Sequence, residues 1–327
     1  MASNLHPYPS ALQQVSKGTV TAMGFAYEMA STPAAYARKA FYDANDPGRS
    51  TPPVVLPFGT DRLQHCVLWE PDQVRHQTLV FWFHGGGYLV GTPESMIDAA
   101  NVYNSQGYRF CSVGFRLMPF HRFPAQASDA FLGIRAALAW MAANGRDVPG
   151  IVVGGSSCGG HLACLVGYGR GLQQTYDFPT ELLRGVVLCA AVVDADDMLL
   201  RPFPSNAVWQ RYIDLPARGT GMRARHQALL PWSPIALVES FAQPGAPAPV
   251  PFFAVHGIAD QMSPYAHEAA FVDRLNQIGG DGTAYLHTID DRRWQHMRLT
   301  VTMHKDRVED SPALTELFAW LNETLGT

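Results

Sequence analysis

The sequence has no basic tract, no long apolar run and only a slight excess of negative charge. Its 24 Lys and Arg against 28 Asp and Glu give a net charge of −4, and without a basic cluster we expect no nucleic-acid partner. No apolar run approaches the roughly 18–20 residues that cross a bilayer, so we expect no membrane span. The opening residues, MASNLHPYPS, lack the basic and apolar regions of a secretory signal, which favours a cytoplasmic location.

Cysteine is also scarce, with five residues in a chain of 327. The five are scattered, odd in number and form no C-x-x-C pair; they are Cys66, Cys111, Cys158, Cys164 and Cys189. This arrangement argues against both a disulfide framework and a zinc site. We therefore expect reduced thiols, no bound metal and no cofactor.

Charged side chains make up only 16% of the chain and hydrophobic ones 47%, which predicts a packed core. Short runs that are apolar nearly throughout predict strands buried on both faces of a sheet: Leu63–Trp69, Thr78–Phe83, Arg109–Gly114, Gly150–Gly154, Gly185–Ala190, Pro251–His256 and Gly282–Thr288. Helical spacing between them predicts Ser128–Asn144, His161–Leu172, Tyr265–Ile278 and Pro312–Leu325. In the first of these helices, Ser128 and Asp129 are expected at the N-cap and Gly145 at the C-cap. The alternation predicts an α/β fold with a mostly parallel sheet.

Two segments interrupt this alternation. Residues 1–60 have a weak helical pattern and several prolines, and residues 192–237 are rich in Arg, Pro and aromatic side chains. A long insertion late in an α/β sheet is often a lid over the active site. We expect residues 61–191 and 238–327 to form the core, residues 1–60 an N-terminal cap segment, and residues 192–237 a cap insertion. In the alternative interpretation, which stays open, the insertion only covers an edge of the sheet.

The stretch Gly150-Ile-Val-Val-Gly-Gly-Ser-Ser-Cys-Gly-Gly160 predicts a strand, a sharp turn and a helix. Only Ser157 has glycine two positions away on both sides, at Gly155 and Gly159, where other side chains would clash in a tight turn. The turn would present the hydroxyl at a helix N-terminus, where the dipole favours developing negative charge. No Lys follows as in a Walker loop, and the glycine spacing does not fit a dinucleotide fingerprint. Ser157 is our candidate nucleophile.

A second glycine run, His84-Gly-Gly-Gly-Tyr88, follows another predicted strand. Acyl transfer needs preorganised N–H donors for the oxyanion, and consecutive glycines allow backbone N–H groups to turn inward. We assign the donors to the N–H groups of Gly86, Gly87 and Cys158, with Gly85 as an alternative. The competing interpretation of the three glycines is a flexible turn without a catalytic role. His84 is expected to support the loop structurally.

Taken together these motifs resemble the hormone-sensitive-lipase-like esterases of the α/β-hydrolase superfamily, over about residues 60–325. The glycine run matches that family's oxyanion motif, Phe115-Arg-Leu-Met-Pro119 looks like its Y-R-L-A-P segment, and Gly155–Gly160 is similar to its G-D-S-A-G-G turn. The resemblance implies the α/β-hydrolase fold: a mostly parallel central sheet flanked by helices, with a helical cap from the N-terminus and an insertion. Among the departures from the pattern, Phe120 replaces Glu, Ser156 replaces Asp, Cys158 replaces Ala, and Met297 replaces the Gly of the H-G-F segment.

In this fold the triad follows the order Ser, acid, His. Asp260 comes just after the predicted strand Pro251–His256, at the edge of the sheet where the nucleophile is expected, and it lies in a segment that resembles the family's acid motif. Competing acids follow an earlier strand, at Asp194, Asp196 and Asp197. His296 corresponds to the family's H-G-F position and follows the last strand by a loop. His287, inside a predicted strand, and His304, further along the chain, are set aside.

The expected function is hydrolysis of a carboxylic ester of a small or medium-sized, apolar substrate through an acyl-enzyme on Ser157. Tyr88, Trp209 and Tyr212 are candidate substrate contacts. Amide hydrolysis, a non-hydrolytic condensation or cyclisation in secondary metabolism, and a non-catalytic ligand receptor are the alternatives. The partner is expected to be a small molecule, and the protein a monomer or homodimer.

Overall fold

The computed structural model describes residues 52–200, 227–293, 296 and 307–326. Within them, eight strands form one sheet in the order β1-β2-β4-β3-β5-β6-β7-β8. The strands are β1 (Val54–Pro57), β2 (His65–Trp69), β3 (Leu79–Phe83), β4 (Arg109–Val113), β5 (Ile151–Ser156), β6 (Leu183–Cys189), β7 (Phe252–Gly257) and β8 (Ala284–Ile289). Strand β2 pairs antiparallel with β1 and β4, and the other pairs are parallel. The predicted mostly parallel sheet is therefore confirmed.

Strand β1 was not predicted. Its four residues lie in the segment assigned to the N-terminal cap, yet Leu56 pairs with Cys66 at the edge of the sheet. Only Leu56 of the four is buried, so the strand is too short and too exposed to give a periodic signal. The sheet therefore begins before residue 61, the expected start of the core.

Helices cover both faces of the sheet. They are α1 (Ile97–Ser105), α2 (Ala125–Ala143), α3 (Cys158–Tyr168), α4 (Arg170–Thr175), α5 (Ala195–Leu200), α6 (Pro234–Leu237), α7 (Tyr265–Gly279) and α8 (Pro312–Leu325), with 3₁₀ turns at Pro93–Met96, Thr180–Leu182, Leu230–Trp232, Val238–Phe241 and Val308–Asp310. Strand β3 shows how alternate residues serve the two cores. Phe81 belongs to the buried cluster that includes Phe131 of α2, and Trp82 packs against Tyr103 of α1 in the other cluster.

Two predicted helix boundaries were wrong. Helix α2 begins at Ala125, so Asp129 is not an N-cap; its buried carboxylate accepts hydrogen bonds from the guanidinium and backbone N–H of Arg116. The predicted helix His161–Leu172 begins earlier, at Cys158, directly after the candidate nucleophile. It is divided at Gly169, which separates α3 from α4.

The two described ends of the predicted cap insertion lie beside each other. The Ser233 hydroxyl accepts a hydrogen bond from the Ala195 N–H at 3.1 Å, and the Ile235 N–H donates to the Val193 carbonyl oxygen at 2.9 Å. Residues 201–226 of the insertion and residues 1–51 of the N-terminal segment lie outside the described residues. The cap therefore stays a prediction, and its two ends are anchored at the carboxyl edge of the sheet.

Candidate active site

Ser157 lies on the turn that joins β5 to α3. Its φ of 53° and ψ of −123° put it in the strained backbone conformation that the glycine pattern predicts. A Cβ at Gly159 would lie 2.1 Å from the Phe83 carbonyl oxygen, and one at Gly155 would lie 2.4 Å from the Gly159 backbone. Only glycine fits either position. These two glycines make room for the tight turn that places Ser157 at the N-cap of α3.

The glycine run after β3 curls beside this turn. Gly86 has a φ of 116°, and a Cβ there would lie 2.1 Å from the Val90 carbonyl oxygen. Gly87 has a φ of 61°, and nothing lies within 4 Å of where its Cβ would be. The loop is fastened to the nucleophile turn, because the Tyr88 N–H donates a hydrogen bond to Sγ of Cys158 at 3.3 Å. The two segments predicted to supply the three oxyanion donors are thus adjacent.

His84 supports this loop from below. Its ring is fully buried and stacks on Phe115 with the ring centroids 4.2 Å apart. Burial lowers the pKa of His84 to about 4, so the ring is neutral, and Nδ1–H donates to the Gly85 carbonyl oxygen at 2.7 Å. This geometry agrees with the predicted bracing role.

Tyr88 is also a supporting residue. Its side chain is fully buried, and its hydroxyl donates to the Cys158 carbonyl oxygen at 3.0 Å and lies 2.6 Å from Nδ1 of His161. The other ring nitrogen of His161 donates to the Trp232 carbonyl oxygen at 2.7 Å. Tyr88 therefore ties the glycine loop to α3 and does not line a substrate pocket as predicted. The other candidate contacts, Trp209 and Tyr212, lie outside the described residues.

Asp260 lies in the turn after β7 and is held by four donors. Its Oδ1 accepts hydrogen bonds from the N–H groups of Met262 at 2.8 Å and Ser263 at 2.9 Å. Its Oδ2 lies 2.7 Å from Nδ1 of His296 and 3.1 Å from Nε2 of His256. Burial opposes the charged form, but these two imidazoles hold the pKa of Asp260 below its usual range. The carboxylate is therefore ionised at neutral pH.

His296 lies between Asp260 and Ser157. Its Nε2 is 2.8 Å from the Ser157 Oγ, and its side chain is almost fully buried. The structure thus brings together the three residues predicted as nucleophile, acid and base, from the loops after β5, β7 and β8. Chemically, an imidazole in this position can take the serine proton while the carboxylate fixes its tautomer.

The competing candidates lie elsewhere. Oδ2 of Asp197 lies 2.9 Å from Nε2 of His267, and Asp194 accepts a hydrogen bond from the Asp197 N–H at the start of α5. His287 lies in β8, 2.7 Å from a carboxylate oxygen of Glu316. His304 is outside the described residues.

Two buried residues at the site were not predicted. His256 is the next-to-last residue of β7, and Glu268 lies in the first turn of α7; they contact each other through Nδ1 and Oε2. Both residues stand in the segments that suggested Asp260, but an isolated His and Glu give no signal of burial. The helical spacing of Glu268 with Phe271 and Leu275, which are buried on the same face, is the signal that could have found it.

Neither a metal site nor a membrane-spanning helix is found in the described ranges. No three His, Cys, Asp or Glu side chains there are grouped so as to hold a metal ion. Likewise, none of the helices described above combines the length and apolarity needed to cross a bilayer. The five cysteines are buried, free thiols.

Comparison with known proteins gives the family. The family model BD-FAE matches residues 67–275. The chain belongs to the BD-FAE family. Esterase LipC of Mycobacterium tuberculosis is 29% identical to this BD-FAE family member over 245 residues, which cover 70% of this chain and 56% of LipC. The chain thus spans about half the length of this curated relative.

Solved structures agree on the fold. Esterase B of Lactobacillus rhamnosis superposes with a TM-score of 0.65 at 20% identity, covering 94% of this chain and 96% of its own. A hormone-sensitive lipase from a metagenome library superposes with a TM-score of 0.59 at 18% identity, covering 88% and 91%. The α/β-hydrolase fold and the predicted likeness to hormone-sensitive-lipase-like esterases are confirmed for this BD-FAE member.

Proposed function

We propose that the protein is a serine hydrolase that cleaves a carboxylic ester of a small or medium-sized, apolar substrate through an acyl-enzyme on Ser157. The observation that carries the proposal is the unbroken chain of contacts from Ser157 Oγ to His296 at 2.8 Å and from His296 to Asp260 at 2.7 Å. The similarity to a relative named as an esterase supports the same reaction class.

In the first half-reaction, His296 takes the Ser157 proton as Oγ attacks the ester carbonyl carbon. The ionised Asp260 holds Nδ1–H and stabilises the imidazolium that forms. Collapse of the tetrahedral intermediate breaks the bond to the alcohol oxygen, and His296 returns the proton to the leaving alcohol. In the second half-reaction His296 deprotonates a water molecule, which attacks the acyl-enzyme and releases the carboxylic acid.

The oxyanion of both intermediates needs donors beside Ser157. We assign them to the N–H groups of Gly86, Gly87 and Cys158, because the glycine loop lies against the nucleophile turn through the contact between Tyr88 and Cys158. The Cys158 N–H is at the first position of α3, where the helix dipole adds to the stabilisation. One such donor lowers the barrier by about 3–4 kcal/mol.

The cap completes the proposal for substrate selection. We assign residues 192–237, which include Trp209 and Tyr212, and the part of the N-terminal segment that precedes β1 to a cover over Ser157 whose aromatic side chains would favour apolar acyl or alcohol groups. The same proposal includes a small-molecule substrate, a cytoplasmic location, a role in secondary metabolism and a monomeric or homodimeric state.

The alternatives differ in their products. A ligand receptor is disfavoured, because nucleophile, base and acid are all in contact. Amide hydrolysis and non-hydrolytic condensation could use the same residues, so the test must follow the oxygen atom.

The test is turnover of p-nitrophenyl acetate, butyrate and octanoate in ¹⁸O-labelled water, with the matching anilides as amide controls. We expect ester cleavage in which each turnover places one ¹⁸O atom in the carboxylic acid. The proposal is contradicted if the folded protein cleaves the anilides but leaves the esters intact. It is also contradicted if the carboxylic acid product lacks the label.

A further inference from the structure

A second histidine lies behind the candidate triad. His256 is fully buried, and its Nε2 is 3.1 Å from Asp260 Oδ2 and 2.9 Å from the Ser263 carbonyl oxygen. Its Nδ1 contacts Oε2 of Glu268, which is also fully buried. The contacts therefore continue past the triad, from Ser157 through His296, Asp260 and His256 to Glu268.

We propose that His256 is a positioning residue for Asp260 in ester hydrolysis, and that Glu268 fixes the proton arrangement on His256 that this role requires. The proposal rests on the proposed function, because it assigns the pair a task in the reaction of Ser157. A structural role, in which the pair only joins β7 to α7, is the interpretation that the test must separate.

The hydrogen positions on His256 follow from its neighbours. The Ser263 carbonyl oxygen can only accept a hydrogen bond, so Nε2 must carry a hydrogen, which is shared with Asp260 Oδ2. The second proton lies between Nδ1 and the Glu268 carboxyl group. With the hydrogen on Nε2 of His256, Asp260 has two backbone donors on Oδ1 and two ring donors on Oδ2. These four donors fix the orientation of its carboxylate toward His296.

The pair supplies this donor without adding net charge. Glu268 as carboxylate with His256 as imidazolium sums to zero, and so does the neutral pair that shares the same proton. Burial opposes the imidazolium, but the carboxylates of Glu268 and Asp260 raise the pKa of His256 to about 10. Asp260 therefore faces a cation on one side and His296 on the other.

Within the described part of the chain, few other titratable groups face the pair. The Tyr265 ring lies edge-on to His256, with the centroids 5.9 Å apart. Cys164 and Cys189 lie close enough to Glu268 to interact electrostatically, but burial raises the pKa of both thiols, so they are neutral. Among the described residues, the charges that act on Asp260 from this side are thus those of His256 and Glu268.

The position of Glu268 supports a role beyond packing. It lies on the face of α7 that also buries Phe271, Val272 and Leu275. A carboxyl group on such a face is costly unless it is paired, and an apolar side chain would pack there without that cost. Glu268 is paired with His256, which contacts Asp260, so its contribution is to the position of the triad acid.

The test compares wild-type protein with Glu268→Gln and with the double variant His256→Phe/Glu268→Leu. The glutamine amide can donate to Nδ1 and keep Nε2–H on Asp260, but His256 is then neutral. The double variant replaces both polar groups with apolar ones, so no buried charge is left unpaired. Active sites are titrated with a fluorophosphonate, folding is checked by thermal unfolding, and kcat and KM for a p-nitrophenyl ester are measured against pH.

For the double variant we expect kcat to fall about 10- to 100-fold with KM within about twofold of wild type, because the base is less well oriented. The acidic limb of the kcat/KM profile should move about one unit to higher pH, since Asp260 loses an N–H donor and a cation and holds the proton on His296 more strongly. For Glu268→Gln we expect kcat within about threefold of wild type and a smaller shift of the limb in the same direction.

A folded, fully titratable double variant with the kcat and acidic limb of wild type would show that the pair is only structural. If the double variant does not fold, Glu268→Gln decides, and an acidic limb identical to wild type overturns the proposal. Wild-type protein that neither labels at Ser157 nor cleaves esters would instead refute the proposed function itself. The positioning role would then fall with it.

Discussion

Nε2 of His296 lies 2.8 Å from the Ser157 Oγ, although the two residues are 139 positions apart in the chain. The contact requires the loops after β5 and β8 to meet above the carboxyl edge of the sheet. Asp260, from the loop after β7, completes the arrangement by contacting the opposite nitrogen of the imidazole at 2.7 Å.

Replacing the acid should disable the base. In Asp260→Asn, the amide can donate to His296 Nδ1 and so favours the tautomer that cannot accept the serine proton. We expect kcat to fall about 10⁴-fold. Asp197→Asn is the matched control, because Asp197 pairs with His267 and should leave kcat near wild type. Similar losses in the two variants, measured on a p-nitrophenyl ester, would refute the assignment of the acid.

The buried pair of His256 and Glu268 predicts how stability depends on pH. The pKa of His256 is raised in the folded protein to about 10, so its contribution is complete below the unfolded value of about 6.5. That contribution is lost as pH rises through about 10. We expect Tm to fall between pH 7 and pH 10 in wild type, and to fall less in Glu268→Gln. If Tm falls with pH by the same amount in both proteins, the fall does not come from the pair of His256 and Glu268.

The nucleophile turn should not tolerate a side chain at Gly159. A Cβ there would lie 2.1 Å from the Phe83 carbonyl oxygen, so Gly159→Ala must displace the turn or the strand beside it. We expect loss of fluorophosphonate labelling together with a lower Tm. Gly171→Ala, in α4, is the control, because no atom lies within 4 Å of its Cβ position and alanine favours a helix. It should keep full labelling with an equal or higher Tm.

Cys158 should be inert although it adjoins the nucleophile. It is buried, and burial raises the pKa of its thiol to about 12, so almost no thiolate exists at pH 8. We expect native protein treated with iodoacetamide at pH 8 to keep its esterase activity and an unmodified Cys158, as read by peptide mass. The denatured chain should take up five alkyl groups, one for each free cysteine. Rapid alkylation of Cys158 in the folded protein would contradict its burial.

Much of the fold could be predicted because buried parallel strands give continuous apolar runs. Strands β3 and β7 agree with their predicted spans to within a residue or two. Helix α8 matches its predicted span, since Ser311 caps it and Pro312 begins it. The short edge strand β1 gave no such signal, because three of its four residues are not buried.

The site was predictable to the extent that local geometry restricts residue type. Gly155 and Gly159 beside Ser157, and Gly86 in the loop after His84, lie where a Cβ would come within 2.1–2.4 Å of backbone atoms, so no other residue fits there. The inward position of Tyr88 was missed because an aromatic side chain after a glycine loop can face either core or pocket. His256 and Glu268 were missed because their pairing is a tertiary contact between β7 and α7, which neither segment encodes alone.

The central claim, that Ser157 is an activated nucleophile, is tested most directly by intact mass after treatment with a fluorophosphonate. We predict one adduct on wild type, none on Ser157→Ala and one on Ser156→Ala, since Ser156 is adjacent and buried but has no hydrogen-bond partner for its hydroxyl within the described residues. An adduct that persists in Ser157→Ala, or no adduct on folded wild-type protein, would contradict the account.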